Sequence, residues 1–214
     1  ITEDKRIRES LEASIREKEF LLSEIHHRVK NNLQLISSLL RLQSRYIEDE
    51  RSLEIFMECQ NRVKSIALVH EKLYGSGDMM VVNLAEYIEE LLSELRNMCR
   101  GRDTVFRTEL DEVRVGINTA VSIGLIVNEL VTNAINHGID SHGEVRITLS
   151  VSDGRGTLVV ADNGCGLPQD FEVSDSPGFG LKLVNFMLRR VNGSVVAENR
   201  DGAVFTVTFD AGGE

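Results

Sequence analysis

The chain has 214 residues, 42% of them hydrophobic, with 2 Pro, no Trp and a formal net charge of −10. That length and apolar fraction predict one large or two small globular domains, and scarce proline lets long helices run unbroken. An acidic balance without a basic stripe argues against nucleic acid as a partner, and no apolar run has the length of a membrane span or the form of a signal peptide.

Three scattered cysteines, Cys59, Cys99 and Cys165, fit neither a disulfide framework nor a zinc site, and they predict a reducing, cytoplasmic setting. The charge is uneven. Residues 1–80 hold 13 Lys+Arg against 14 Asp+Glu, and residues 81–214 hold 11 against 20. The chain begins at Ile1 already in helical register, which reads as a fragment of a longer protein with a sensor or membrane anchor upstream.

From Ile1 to Tyr74 the pattern is helical. Ile7, Leu11, Ile15 and Leu22 suggest a coiled-coil-like entry, continued by Ile25, Val29, Leu33, Ile36 and Leu40. Glu48-Asp49-Glu50 breaks the pattern. A second helix follows through Leu53, Phe56, Val63, Ile66 and Leu73 and stops at Gly75-Ser76-Gly77-Asp78, a run suited to a linker. Two such helices form a hairpin. One hairpin cannot bury both apolar stripes, so residues 1–78 are expected to pair with a second copy as a homodimeric four-helix bundle.

Residues 79–214 differ in character. Asn83 is placed to cap a helix running to about Cys99. Residues 103–109 alternate as a strand, 117–137 read as a helix, and 144–151 with 157–162 read as strands joined at Asp153-Gly154-Arg155-Gly156. A loop rich in Gly, Ser and Asp leads to a helix over 179–191. Strands over 194–199 and 203–209 join at Arg200-Asp201-Gly202. This alternation predicts an α+β sandwich, one helical layer on a mostly antiparallel sheet.

Four motifs carry chemistry. The first is Glu24-Ile25-His26-His27-Arg28-Val29-Lys30-Asn31-Asn32. On a helical wheel the apolar positions of the first helix fill an arc of about 80°, His26 borders it, and His27 lies about 160° away. An imidazole near neutral pH is partly unprotonated and nucleophilic. Adjacent histidines on a helix are otherwise ordinary polar surface, so the wheel alone leaves both readings open.

The second is Asn128-Glu129-Leu130-Val131-Thr132-Asn133-Ala134-Ile135-Asn136-His137. Glu129, Asn133, Asn136 and His137 share an arc of about 100°. An amide oxygen such as that of Asn133 can ligate Mg²⁺, and a carboxylate such as Glu129 can polarise a nucleophile or hold a metal-bound water. The third is Asp162-Asn163-Gly164-Cys165-Gly166 after a strand, where a carboxylate can accept from an adenine amine while glycines let the backbone turn beneath the base. The fourth is Pro177-Gly178-Phe179-Gly180-Leu181 at a helix start, whose free N–H groups suit phosphate. It is neither a P-loop nor a Rossmann fingerprint. Each motif alone is weak, and their joint order is the signal.

With these motifs the chain resembles a sensor histidine kinase, in the branch with a His-Arg-Val-Lys-Asn phosphoacceptor box related to the His-Trp-Glu kinases. Residues 79–214 are similar to the Bergerat-type ATPase domain shared with gyrase, heat-shock-protein-90 chaperones and mismatch-repair ATPases. The resemblance implies ATP and Mg²⁺ as cofactors, autophosphorylation on His27, and transfer to an aspartate on the receiver domain of a response regulator. It puts the metal ligand at Asn133, with Glu129 one turn earlier as a catalytic residue and Asn136 and His137 beside it. Asp162, Gly164 and Gly166 fall at the adenine, Gly178, Phe179, Gly180 and Leu181 at the phosphates, and Thr206 near the base.

The chain departs from the family in three places. Asn136 stands where many relatives have Lys. Arg28 follows the phosphoacceptor where commoner histidine kinases have an acid. The lid segment from Leu167 to Pro177 is short, with Phe171 and Phe179 as its aromatic candidates. A Bergerat-fold ATPase without histidine transfer and a degenerate dimeric scaffold are the competing readings.

Overall fold

The computed structural model describes residues 2–47, 49, 52, 53, 56, 57, 59, 60, 63, 66, 67, 81–98, 103–139, 142–169, 171–173 and 179–212. The chain forms two compact units, Ile1–Gly77 and Asp78–Glu214.

In the first unit, helix α1 spans Thr2–Gln43 and closes in a 3₁₀ turn, Ser44–Tyr46. A second helix, α2, takes in the described residues between 52 and 67. The acidic run expected to break the pattern also supplies its cap. The carboxylate of Asp49 accepts from Ser52 N at 2.7 Å, and Leu53 N donates to Asp49 O at 2.9 Å, the pattern of an N-cap. Hydrogen bonds from the Ser52 hydroxyl and then its N–H hold the Asp49 carboxyl below its usual range. Gln60 of α2 is buried and donates to Ser37 O of α1 at 3.3 Å, which ties the two helices into a hairpin.

Helix α1 carries two apolar stripes. Val29, Leu33 and Leu40 are half-buried on the same side as Ser37. Leu21, Leu35, Leu39 and Leu42 are exposed on a second stripe, about 125° around the wheel. Ile25 and Ile36, which the sequence pattern grouped with the first stripe, are exposed as well. The predicted end of the second helix at Leu73 and the linker Gly75–Asp78 lie outside the described residues.

The second unit opens with strand β1, Val81–Asn83. Asn83 then caps helix α3, Leu84–Met98, its Oδ1 accepting from Ala85 N at 3.2 Å. Strand β2, Asp103–Leu110, is followed by β3, Arg114–Gly116, which pairs antiparallel with β1. Helix α4, Ile117–Asn133, ends in one π-helical turn, Ala134–Gly138. Then come β4, His142–Ser152, β5, Arg155–Asp162, helix α5, Phe179–Arg190, β6, Ser194–Asn199, and β7, Ala203–Asp210.

The main sheet has the order β2-β4-β5-β7-β6. β2 and β4 are parallel and the other pairs antiparallel. Side chains alternate across a strand, and the pairing register puts Val145, Ile147, Leu149, Leu158, Val160, Phe205 and Val207 on one face. All are buried. That face meets the helical layer, in which α4 contacts α3, α5 and β5. Each fully buried large apolar side chain contributes about 1.5–3 kcal/mol, so this layer dominates the unit's stability. The predicted sandwich is therefore present. The short β1–β3 pair and the parallel β2–β4 pairing are additions to the sequence reading. The β4–β5 turn is also tighter than expected: Asp153 and Gly154 alone make it, at φ 51° and 75°, the two-residue hairpin geometry that follows strand twist.

The Asn83 cap gives a direct check. Asn83→Ala is expected to destabilise the second unit by about 1 kcal/mol, read as a lower urea midpoint at unchanged slope.

Candidate nucleotide site

Helix α4 is buried on nearly every side from Ala120 to Val131, as expected for the middle helix of a layer. Three of its polar residues are buried with it, Ser122 at 0% exposure, Asn128 at 2% and Glu129 at 4%. Asn133 closes the helix half-buried, and Asn136 and His137 are exposed within the π turn. The wheel expected these last two to continue the arc of Glu129 and Asn133. The widened turn breaks that 100° step, so they depart from the predicted register. π turns of this kind recur at functional sites.

Strand β5 delivers Asp162 to the end of the sheet, 8% exposed. Its Oδ1 accepts from Gly164 N at 2.9 Å and from Ala203 N at 3.2 Å, so neither of these bonds uses Oδ2. Three chain segments converge around this carboxylate. Gly138, at the end of the π turn, comes so close that a Cβ there would lie 3.0 Å from the carboxyl group. Gly164 packs on Gly138, where a Cβ would overlap the Gly138 carbonyl. Gly202, at φ 143°, packs on the Asp162 carbonyl with no room for a Cβ. Only glycine satisfies such approaches.

The loop after Asp162 is tied at both ends. Cys165 N donates to Gly138 O at 2.9 Å, and Cys165 Sγ to His137 O at 3.2 Å. Asn199 of β6 clasps Leu167, accepting from its N–H at 2.6 Å and donating to its carbonyl at 2.9 Å. Asn163 exchanges two bonds with the backbone of Glu144, at 3.3 and 2.8 Å. The Glu144 carboxylate is held below its usual range by Arg146 and Arg107, which donate to it at 2.9 and 2.6 Å. Exposed pairs of this kind add little stability.

Among the described lid residues, Phe171 meets Phe205 edge-on with centroids 6.5 Å apart, and Val173 O accepts from Asn185 of α5 at 3.4 Å. Gly180 and Leu181 are buried in the first turn of α5, and the backbone of Phe179 opens it. Gly178 lies outside the described residues.

One expected member does not join. Thr206 pairs with Val159 and Val196, one residue out of phase with Val160 and Phe205, so strand alternation puts it on the opposite face of the sheet from Asp162. Gly138, Gly202 and Asn199, by contrast, belong to the cradle without having been predicted. Arg200-Asp201-Gly202 was visible as a turn, but its contact with Asp162 was not.

His27 lies within α1, and nothing is described of its side chain. The neighbouring Arg28 pairs with Glu24 at 2.9 Å, one turn earlier.

A held carboxylate among close-packed glycines, at the end of a sheet and beside a buried helix with a polar edge, defines a Bergerat-type ATPase domain. Comparison with known proteins agrees. Residues 24–99 match the family described as "Histidine kinase", and residues 118–213 match "Histidine kinase-, DNA gyrase B-, and HSP90-like ATPase". The chain belongs to the sensor histidine kinases, in the branch related to the His-Trp-Glu kinases. It is 37% identical over 175 residues to sensor histidine kinase PdtaS of Mycobacterium tuberculosis, covering 80% of this chain and 35% of that protein. It is 29% identical over 197 residues to blue-light-activated histidine kinase 2 of Erythrobacter litoralis, covering 88% of this chain and 56% of that one. The chain thus spans about a third to a half of these curated relatives. The solved histidine kinase domain of Erythrobacter litoralis EL346 blue-light activated histidine kinase shares the fold, with a TM-score of 0.64 at 19% identity over 83% of this chain and 96% of that one.

The glycine packing sets a test. Gly164→Ala is expected to cost about 1–3 kcal/mol of stability and to weaken nucleotide binding roughly tenfold, ~1.4 kcal/mol, by calorimetry. Gly116→Ala, where a Cβ meets nothing within 4 Å, is the control that leaves binding unchanged.

Proposed function

We propose that this chain is the catalytic core of a two-component sensor kinase, which phosphorylates itself on His27 from ATP and passes the phosphoryl group to an aspartate on a response regulator's receiver domain. The observation that carries the reading is the Asp162 cradle, a buried carboxylate fixed by two backbone donors in a chain whose first helix carries His27. Oδ2 of Asp162 would accept from the adenine amine, with Gly164 and Gly166 turning the backbone beneath the base. Gly178, Phe179, Gly180 and Leu181 would bring backbone donors at the start of α5 to the phosphates, with Asn136 and His137 at their edge.

Mg²⁺ fits the donors present. Among the described residues no group of three His, Cys, Asp or Glu side chains could hold a metal by itself. An ion held through Asn133 would therefore take its remaining ligands from phosphate and water, as Mg²⁺ does in phosphoryl-transfer sites. Bound there it would neutralise charge on the transferring group. The burial of Glu129 favours orienting a metal-bound water over reaching an imidazole.

In the transfer, a neutral imidazole nitrogen of His27 attacks the γ-phosphorus in line. The P–N bond forms as the bond to the β–γ bridging oxygen breaks, ADP leaves, and the imidazole proton goes to solvent or a base. Arg28, paired with Glu24, is a guanidinium with no acceptor and cannot take that proton. The exposed Leu21, Leu35, Leu39 and Leu42 stripe supports a homodimer through residues 1–78, since a second copy would cover it. A sensor domain would precede the chain in the full protein. No helix among the described residues is long and apolar enough to cross a membrane, and a cytoplasmic place for this core is part of the proposal.

The test is incubation with γ-labelled ATP and Mg²⁺. Acid-labile, base-stable label is expected on the chain, absent from His27→Ala and retained in His26→Ala. Label persisting in His27→Ala removes the assignment. Steady phosphate release without any protein label would indicate an ATPase lacking histidine transfer, and absence of ATP binding a scaffold.

A further inference from the structure

Among the described residues, two buried polar atoms in the helical layer have no hydrogen-bond partner, and they complement one another. Tyr87, in the first turn of α3, lies directly over Gly124 of α4. A Cβ on Gly124 would stand 2.7 Å from Cε1 and Cζ of that ring and closer still to its hydroxyl. The phenol is 4% exposed and its oxygen is without a partner. Burial pushes its ionisation far up, so it remains a donor at any working pH. Asn128 follows Gly124 by one helical turn. It is 2% exposed, and its Oδ1 is also without a partner.

Positions four apart on a helix are neighbours, roughly 5–6 Å between Cβ atoms. Helical side chains lean toward the N-terminus, so the Asn128 carboxamide leans toward Gly124 and the phenol above it. A buried donor and a buried acceptor left unmade cost much more than one hydrogen bond contributes.

We propose that the Tyr87 hydroxyl and Asn128 Oδ1 close on each other, directly or across one buried water, as a polar lock that fixes α4 against α3 and so positions Asn133 and Glu129 for the nucleotide phosphates. Gly124 and Asn128 lie about 40° apart on the wheel, whereas Glu129 and Asn133 lie about 140° and 180° from Gly124. The lock thus holds the back of the helix whose front carries the phosphate-side groups. The adenine end depends on Asp162 of β5, a different element. Loosening the lock should disturb phosphate and metal handling while sparing base recognition.

This rests on the proposed kinase reading, and the experiment separates the two. In the whole chain, Tyr87→Phe, Asn128→Leu and the double variant are compared in three measurements: ADP affinity without Mg²⁺, the rate and Mg²⁺ dependence of His27 labelling at saturating ATP, and urea unfolding. Each single variant should keep Mg²⁺-free ADP affinity within about twofold, slow labelling about tenfold and raise the Mg²⁺ required. The double should be no slower than the slower single, and the unfolding constants should show a coupling of about fivefold, the scale of one hydrogen bond. Multiplying effects in the double variant overturn the lock, and ADP affinity falling in step with the labelling rate reduces it to a structural contact. If the unmodified chain labels no histidine, the kinase reading fails and the unfolding cycle alone decides. Coupling then sustains the lock, and additivity removes it.

Discussion

The catalytic unit depends on one buried carboxylate. Asp162 sits where a strand end, a helix end and a turn from the last hairpin meet, and its Oδ1 bonds two of their backbones. A carboxylate removed from water is costly unless its hydrogen bonds are made, so this one fixes its surroundings as much as they fix it. Gly138, Gly164 and Gly202 follow from that constraint. Each brings backbone where a side chain would intrude.

Helix α4 sets the other half of the site by being buried nearly all round. Such a helix cannot expose a polar face to water, so its polar residues must face a partner, a ligand or each other. The proposed site gives Glu129 and Asn133 to the nucleotide and Asn128 to α3, and Ser122 turns its hydroxyl back onto the Asn118 carbonyl at 2.8 Å. The π turn at Ala134–Gly138 then lets the chain leave the helix with Gly138 O and His137 O turned to Cys165. A regular α turn would give those carbonyls a different direction.

The sequence made the large elements readable because their signals are local. The Asn83 cap, the Asp153-Gly154 turn and the alternation in β4 and β5 each need only a few neighbouring residues. What it did not make readable depends on distance. β1 and β3 are three residues each, too short for periodicity, and form only because they meet. The π turn changed the step of the wheel just where Asn136 and His137 were assigned. Thr206 was misplaced by the strict alternation of its strand, since a register known from its partners was needed to give its face. The contact of Tyr87 with Gly124 joins positions 37 residues apart and leaves no local signal.

The strand order has a consequence for synthesis. β7 lies inside the sheet, between β5 and β6, although it is made after both. It also carries Ala203, whose N–H is one of the two backbone donors to Asp162. A nascent chain that has already emerged through α5 therefore holds every glycine motif read from the sequence and still cannot set its carboxylate. Competence for nucleotide arrives in one late step, when the final hairpin folds back into the sheet, so an interrupted product would carry the phosphoacceptor helix without a working donor site.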